Sequence, residues 1–309
     1  MAMQLLLVGD LAPAEFERWQ AALAAAVHAV LPEARWCTRA DLDAGRVDAA
    51  AVQAAVVANP PPGSLRGLPN LRLIQSLWAG VDRLLADPTL PAGVPIARMV
   101  DPAMSAAMAE TALWAVLALH RGFFAYQQRQ REGVWRQHRQ RRADEVRVLV
   151  LGQGAMGAAV SARLMAQGYV VEGWRRDGTP LAPRLVAAEI VINLLPLTPA
   201  TRGLLDAAFF AALPAGAAVV NLARGAHVVD ADLLAALDRG HLRHAVLDVF
   251  HTEPLPAGHP FWTHPRVTVL PHAAALTDER SAAAVAAANL RALHDGAPLA
   301  HLVQRERSY

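Results

Sequence analysis

The stretch "VLVLGQGAMG", residues 148–157, decides the fold. Four apolar residues run into Gly152, Gly154 and Gly157 at G-x-G-x-x-G spacing, and a helix-forming run follows. The spacing alone is a weak signal; between a buried strand and a helix it describes the turn on which a dinucleotide pyrophosphate rests. The first glycine permits the tight turn, the second lets the backbone approach the phosphates, and the third lets helix pack on strand. Ala155 and Met156 open the helix, where backbone N–H groups face the phosphates.

Outward from that turn the pattern repeats. "VRVLVLG" (146–152), "YVVEGW" (169–174), "EIVINLL" (189–195), "AAVVNLA" (217–223), "HAVLDVF" (244–250) and "RVTVL" (266–270) read as strands, with helices over 155–167, 206–212 and 230–239. The first hundred residues alternate in the same way. "QLLLVG" (4–9), "AAVVAN" (54–59), "LRLIQSL" (71–77) and "VPIAR" (94–98) read as strands, and 14–30 as a helix. Strands separated by helices make parallel sheets. Residues 102–128 read as one long apolar helix, opened by Asp101 as N-cap and Pro102 at N1. A charged stretch, 129–145, follows it. The helix over 280–295 finds its simplest home against the first domain. The expected class is α/β: two Rossmann-like or flavodoxin-like domains with parallel sheets. A discontinuous substrate-binding domain spans 1–99 and 281–309, and a dinucleotide-binding domain spans 100–280.

"VVEGWRRDG" (170–178) speaks to the cofactor. An acid about 20 residues past the glycines bonds the ribose hydroxyls of NAD, whereas an arginine there accommodates the extra phosphate of NADP. Eighteen residues past Gly157 stands Arg175, followed by Arg176. A guanidinium holds a 2′-phosphate through paired charged hydrogen bonds. The expected cofactor is NADPH, with NADH possible and weaker. Asp177 reads as the start of the turn that ends the strand. Only thirteen residues separate Arg176 from Ile190. They extend over about 40 Å, enough to cross to the next strand but not to hold a third strand and a helix, so that strand is expected to be missing or vestigial.

Composition narrows the chemistry. The chain has 309 residues, enough for two cores, and its 54% hydrophobic and 18% charged content is that of a globular protein. The start "MAMQLLLVGD" has no basic n-region, the Ala-rich run at 21–31 is too short to span a bilayer, and Glu110 interrupts the next apolar run. A cytoplasmic protein without a membrane partner is expected. The single Cys37 gives no disulfide framework and reads as a buried thiol. All 29 basic residues are arginine. The absence of lysine excludes Schiff-base chemistry and a Walker-type phosphate site. A net charge of +2 is too small to argue for nucleic acid. The basic run "REGVWRQHRQRR" (131–142) reads as a solvated helix end and linker, or as a phosphate or subunit contact. His227, His241, His244, His251, His259 and His264 are scattered near turns and form no H-E-x-x-H motif, so no metal site is expected. No serine sits in a G-x-S-x-G elbow, which argues against a hydrolase.

Arg224, Glu253 and His272 each follow a strand-like run, 29 and 19 residues apart. In an open α/β sheet, ligands bind at the carboxyl ends of the strands, where the three can converge. "WAGVD" (78–82), "GQGAMG" (152–157), "LLPLTPATRGLL" (194–205), "NLARGAHVVDADLLAALDRGHL" (221–242), "LDVFHTEPLP" (247–256) and "HPRVTVLPHAAA" (264–275) together resemble the D-isomer-specific 2-hydroxyacid dehydrogenase family. Within it, "NLARG" with its following histidine and "WRR" are similar to the glyoxylate/hydroxypyruvate reductase A type. The short 177–189 segment departs from the pattern.

The resemblance implies NADPH-dependent reduction of a small 2-oxoacid in a pocket between the two domains. His272 is then the general acid, Glu253 holds its imidazole and stabilises the charged form, and Arg224 binds the substrate carboxylate. The amides of Ala79 and Gly80 receive that carboxylate as well, and Trp78 either walls the pocket or packs in a core. Asp248 meets the nicotinamide amide, Leu195 and Pro196 line the nicotinamide ribose, and Ala223 and Ala274 lie near the cofactor. Asp82 reads as a loop or cap residue. A homodimer using helix 102–128 is implied. Two other readings stand beside this one: a non-catalytic NAD(P)-sensing protein of the same fold, and a dehydrogenase for a bulkier 2-oxoacid.

Overall fold

A computed structural model describes residues 2–307; Met1, Ser308 and Tyr309, included in the predicted first domain, lie outside the described residues. The chain divides into two compact units, Met1–Ala103 with Thr277–Tyr309, and Met104–Leu276.

The first unit holds β1 (Gln4–Gly9), α1 (Pro13–Val30), β2 (Arg35–Thr38), α2 (Arg39–Asp43), β3 (Val52–Ala58), β4 (Leu73–Ser76), α3 (Asp82–Leu85) and β5 (Ile96–Ala97). Its sheet is parallel throughout in the order β2-β1-β3-β4-β5, a flavodoxin-like arrangement. Leu6, Val52, Val57 and Ile74 are wholly buried, as expected of parallel strands covered on both faces. Trp19, Leu23 and Val27, four residues apart, form the buried stripe of α1. The sequence reading missed β2 and α2. Arg35 is exposed and the strand is short, so no alternation shows; α2 is held by a capping box between Thr38 and Asp41.

The second unit begins within α4 (Pro102–Arg121), at Met104, and continues with α5 (Phe123–Arg131). The expected single helix over 102–128 is therefore a correction. Gly122 takes φ 72°, in the left-handed region, and the His138 ring occupies the place a Cβ would need. The helical path then restarts and runs into the stretch expected as a linker. By length and composition α4 could cross a bilayer; its Ala112, Ala115 and Val116 are buried in a core with Val148, Val150 and Ile190.

There follow β6 (Arg147–Leu151), α6 (Ala155–Ala166), β7 (Val170–Trp174), α7 (Ala182–Leu185), β8 (Ile190–Asn193), α8 (Ala207–Ala212), β9 (Ala217–Asn221), α9 (Asp230–Asp238), β10 (Leu242–Leu247) and β11 (Val267–Val269). The sheet is parallel in the order β11-β10-β9-β8-β6-β7. Among the described residues no strand lies between β7 and β8, so β7 is the edge, as the short 177–189 segment requires. The last helix, α10 (Glu279–Asp295), belongs to the first unit and packs along α1. Its buried Asn289 donates to Gln75 Oε1 at 2.8 Å, and the Asn289 carbonyl accepts from the Ala300 amide at 2.9 Å.

His244 on β10 is 7% exposed, stacks on Phe124 at 4.2 Å and meets Thr268 Oγ1 through Nε2 at 2.8 Å. Burial, then the charges of Arg243 and His264, pushes its pKa down to about 4. The unfolded chain takes up this proton near pH 6.5 and the folded chain does not. Stability is thus full above pH 6.5 and falls as pH drops toward 4. Between pH 7 and 4.5 the parent is expected to lose about 2–3 kcal/mol more than His244→Gln in urea unfolding. Equal losses in the two proteins would remove His244 from the account.

Candidate functional site

The glycine turn between β6 and α6 matches the local demands read from its spacing. Gly152 has φ 93°, and a Cβ there would stand 2.5 Å from the Leu194 carbonyl oxygen. A Cβ on Gly157 would stand 1.8 Å from the Gly152 carbonyl oxygen, so helix and strand approach as only glycine allows. Gly154 is the N-cap of α6, with no side-chain cap, and a Cβ there would meet nothing within 4 Å. Open space in front of the uncapped N–H groups of Gly154, Ala155 and Met156 fits the diphosphate of a dinucleotide. Gln153 closes the turn from behind. Its amide donates to the Val150 carbonyl at 3.2 Å, and its side chain crosses β7 where a Cβ on Gly173 would collide with it. Neither Gln153 nor Gly173 stood out in the sequence.

Arg175 and Arg176 leave the end of β7 exposed, and Arg176 Nη1 donates to the Ala200 carbonyl at 2.7 Å. Arg176 lines a shallow hollow with Trp174, Gly178, Thr179, Leu181 and Leu204. Asp177 is occupied in a turn. It accepts from the Thr179 hydroxyl and amide, and these bonds hold its carboxyl below the usual range.

The ends of β9, β10 and β11 lie level, since Asn221 pairs with Leu247 and Leu247 with Val269. Asp248 knits them together. Its amide donates to Asn221 O at 3.0 Å, and its carbonyl accepts from the His272 amide at 2.9 Å. Its carboxylate accepts from the amides of Ala273 at 2.7 Å and Ala274 at 3.1 Å. At 2% exposure, desolvation pushes this carboxyl up, against the pull of those hydrogen bonds and of His272. The nicotinamide partner expected of Asp248 would share it with these protein donors.

Glu253 and His272 meet. Glu253 Oε2 lies 2.6 Å from His272 Nδ1, and Oε1 accepts from the Phe250 amide at 2.8 Å. His272 has φ 54°, in the left-handed region that histidine enters more readily than most residues. Among the described residues its Nε2 has no protein partner. A carboxylate on Nδ1 fixes the N–H there and leaves Nε2 to exchange a proton with a ligand. Arg224 follows β9, half-buried, with Nη1 donating to the Ala223 carbonyl at 2.8 Å. The next residue joins the two arms. A Cβ on Gly225 would stand 2.0 Å from the Phe250 carbonyl carbon, so the segments bearing Arg224 and Glu253 touch backbone to backbone.

Leu195 is buried and Pro196 half-buried after β8, while Ala223 and Ala274 are buried. In the first unit, Trp78 stands edge-on to buried Trp19 at 5.8 Å and its amide donates to Ser76 Oγ at 3.0 Å, a packed role. Among the described residues, neither the Ala79 nor the Gly80 amide donates to a protein acceptor. Asp82 opens α3. Among the described residues no group of three or more His, Cys, Asp or Glu side chains is placed to hold a metal ion. Sequence reasoning also passed over Asn193, Asn221 and His227, all fully buried. The signal available was the repeated "VIN" and "VVN", an amide side chain ending two wholly apolar strands.

The family model described as D-isomer specific 2-hydroxyacid dehydrogenase, NAD binding domain, matches residues 113–274. The glyoxylate/hydroxypyruvate reductase A of Serratia proteamaculans (strain 568) is 43% identical over 259 residues, covering 78% of this chain and 83% of that protein. The solved structure of a D-isomer specific 2-hydroxyacid dehydrogenase from Xanthobacter autotrophicus Py2, in complex with NADPH and MES, is similar with a TM-score of 0.91 at 38% identity, covering 100% of both chains. That of an NADPH-dependent glyoxylate/hydroxypyruvate reductase from Sinorhizobium meliloti, in complex with NADP and sulfate, gives 0.89 at 32% identity, covering 99% of this chain and 100% of that one.

The last and the middle glycine of the turn should respond differently to a methyl group. Gly157→Ala is expected to lower the melting temperature by about 5 °C, because backbone must shift. Gly154→Ala is expected to melt with the parent yet bind a nicotinamide dinucleotide about tenfold more weakly by fluorescence titration. Unchanged binding in the second variant would mean that the open space holds no phosphate.

Proposed function

Because the chain belongs to the D-isomer specific 2-hydroxyacid dehydrogenase family, we propose that it reduces a small 2-oxoacid of the glyoxylate or hydroxypyruvate type with NADPH. The reading is carried by the 2.6 Å contact of Glu253 with His272, past the level ends of adjacent parallel strands. His272 gives its Nε2 proton to the substrate carbonyl oxygen, and Glu253 stabilises the imidazolium and fixes its orientation. Arg224 pairs with the substrate carboxylate, for which its planar fork is suited. The undonated amides of Ala79 and Gly80 are proposed as further donors to that group. Trp78 is proposed to order their loop rather than to touch substrate.

Bound NADPH supplies the hydride. Gly152, Gly154, Ala155, Met156 and Gly157 would hold its diphosphate, and Arg175 with Arg176 its 2′-phosphate. Leu195, Pro196, Ala223, Asp248 and Ala274 would hold the nicotinamide side. We further propose a cytoplasmic homodimer. Trp114 on α4, Phe123 on α5, and Val134 and the 97% exposed Trp135 just after it are exposed large apolar side chains that a second copy would cover. Sedimentation velocity showing only monomer would remove this part.

Initial rates with NADPH and NADH across a panel of 2-oxoacids test the activity. His272→Ala is expected to lower kcat by about 10²–10⁴-fold while NADPH still binds. Arg175→Asp with Arg176→Ser is expected to move the preference toward NADH. Tight NADPH binding without turnover of any 2-oxoacid would leave a binding protein instead.

A further inference from the structure

A circuit of hydrogen bonds lies at the strand ends, built on the side chains of Asn193, Asn221 and His227, which were given no role above. Asn193 ends β8 and Asn221 ends β9, and both are fully buried. The Asn193 carbonyl oxygen accepts from the Leu195 amide at 3.2 Å, and its NH₂ donates to Asn221 Oδ1 at 3.0 Å. The Asn221 NH₂ donates to the backbone carbonyl of Arg224 at 2.9 Å. His227, also fully buried, faces that same carbonyl with Nδ1 at 3.1 Å. Its Nε2 faces the Pro196 carbonyl at 3.3 Å, which also accepts from Thr201 Oγ1 at 2.8 Å. The path thus runs from Leu195 through both asparagines to Arg224, and through His227 back to Pro196.

Such groups are costly to bury unless each finds its partner, and once partnered they fix one geometry. Both carbonyls facing the imidazole are acceptors only, so a ring nitrogen bonds there only when it carries the N–H, and each tautomer of the neutral ring serves one of the two. An apolar residue at 227 would fill the space and open the circuit. We propose that His227 is a positioning residue that sets the backbone of Arg224 against the Leu195–Pro196 turn. With its N–H on Nδ1 the ring holds the segment carrying the substrate-binding arginine; with it on Nε2 the ring holds the turn proposed to line the nicotinamide ribose. The inference rests on the roles proposed above for Arg224, Leu195 and Pro196.

The two contacts separate chemically. The amide of asparagine stands where Nδ1 does, and that of glutamine reaches where Nε2 does. His227→Asn therefore keeps the bond to Arg224, and His227→Gln keeps the bond to Pro196. Binding of NADPH is read by fluorescence, binding of oxalate to the NADPH complex by calorimetry, and KM and kcat with glyoxylate by initial rates. His227→Gln is expected to weaken oxalate binding and raise the glyoxylate KM by about five- to tenfold, with NADPH binding within about twofold of the parent. His227→Asn is expected to show the converse, weaker NADPH binding with oxalate nearly unchanged. His227→Leu should lose both, with kcat falling less than KM rises. Cooperative melting is checked for each variant. Constants within about twofold of the parent in both amide variants overturn the proposal, as do equal losses in every constant, which a simple core defect gives. A variant that does not melt cooperatively is judged by the other amide variant, and failure of both to fold overturns the proposal in favour of a role in folding alone. A parent that reduces no 2-oxoacid defeats the proposed activity, while the two binding constants still judge the circuit.

Discussion

The peptide and carboxylate of Asp248 are the constraint on which the rest of the site depends. A parallel sheet ends in a row of unsatisfied backbone groups, and what happens there decides where the following loops go. Asp248 answers for three strands at once. It bonds back to Asn221, forward to the His272 amide, and sideways through its carboxylate to Ala273 and Ala274. Those donors offset a desolvation that on its own would favour the neutral acid. With that loop pinned, His272 can hold its left-handed backbone and present an imidazole to Glu253.

The other end of the cofactor domain is economical in a different way. Without a third strand, β7 is left at the edge, where open N–H and C=O groups invite pairing with another chain. Charge and brevity guard it. Glu172 pairs with Arg184 at 2.7 Å, and Trp174 turns inward with its Nε1–H on the Thr179 carbonyl. The short crossing that removes the strand also creates the hollow beside Arg176. With less protein on that side, a nucleotide would depend more on charge at residues 175 and 176 than on enclosure, a setting where guanidinium recognition of phosphate is strong.

Much of this was legible from residues alone because the constraints are local. Gly152 and Gly157 answer to backbone collisions within a few residues, and their spacing carries that demand directly. The thirteen-residue crossing bounded what could fit after Arg176 whatever the tertiary packing. Arg224, Glu253 and His272 could be picked out because each follows an apolar run, although only the level register brings those ends together. What escaped depends on partners distant in the chain. Nothing in "ARGAH" says that His227 will sit in the core under the Pro196 carbonyl, 31 residues away. Gly122 stood in plain view within an apolar run, but helix propensity could not decide between tolerating it and breaking there. The His138 ring in the path of its Cβ decides it.

The buried polar groups at or just past the ends of β8, β9 and β10 fall into two sets that share Asn221, and this overlap has a mechanical meaning. Its backbone carbonyl receives Asp248, while its side chain bridges Asn193 and the Arg224 carbonyl. A shift of β9 along its axis would strain both sets together with the backbone ladders on either side, because directed hydrogen bonds fit one register. The asparagine at the end of β9 adds to a register that the ladders already hold. The arginine arm and the histidine arm are thereby referred to one residue.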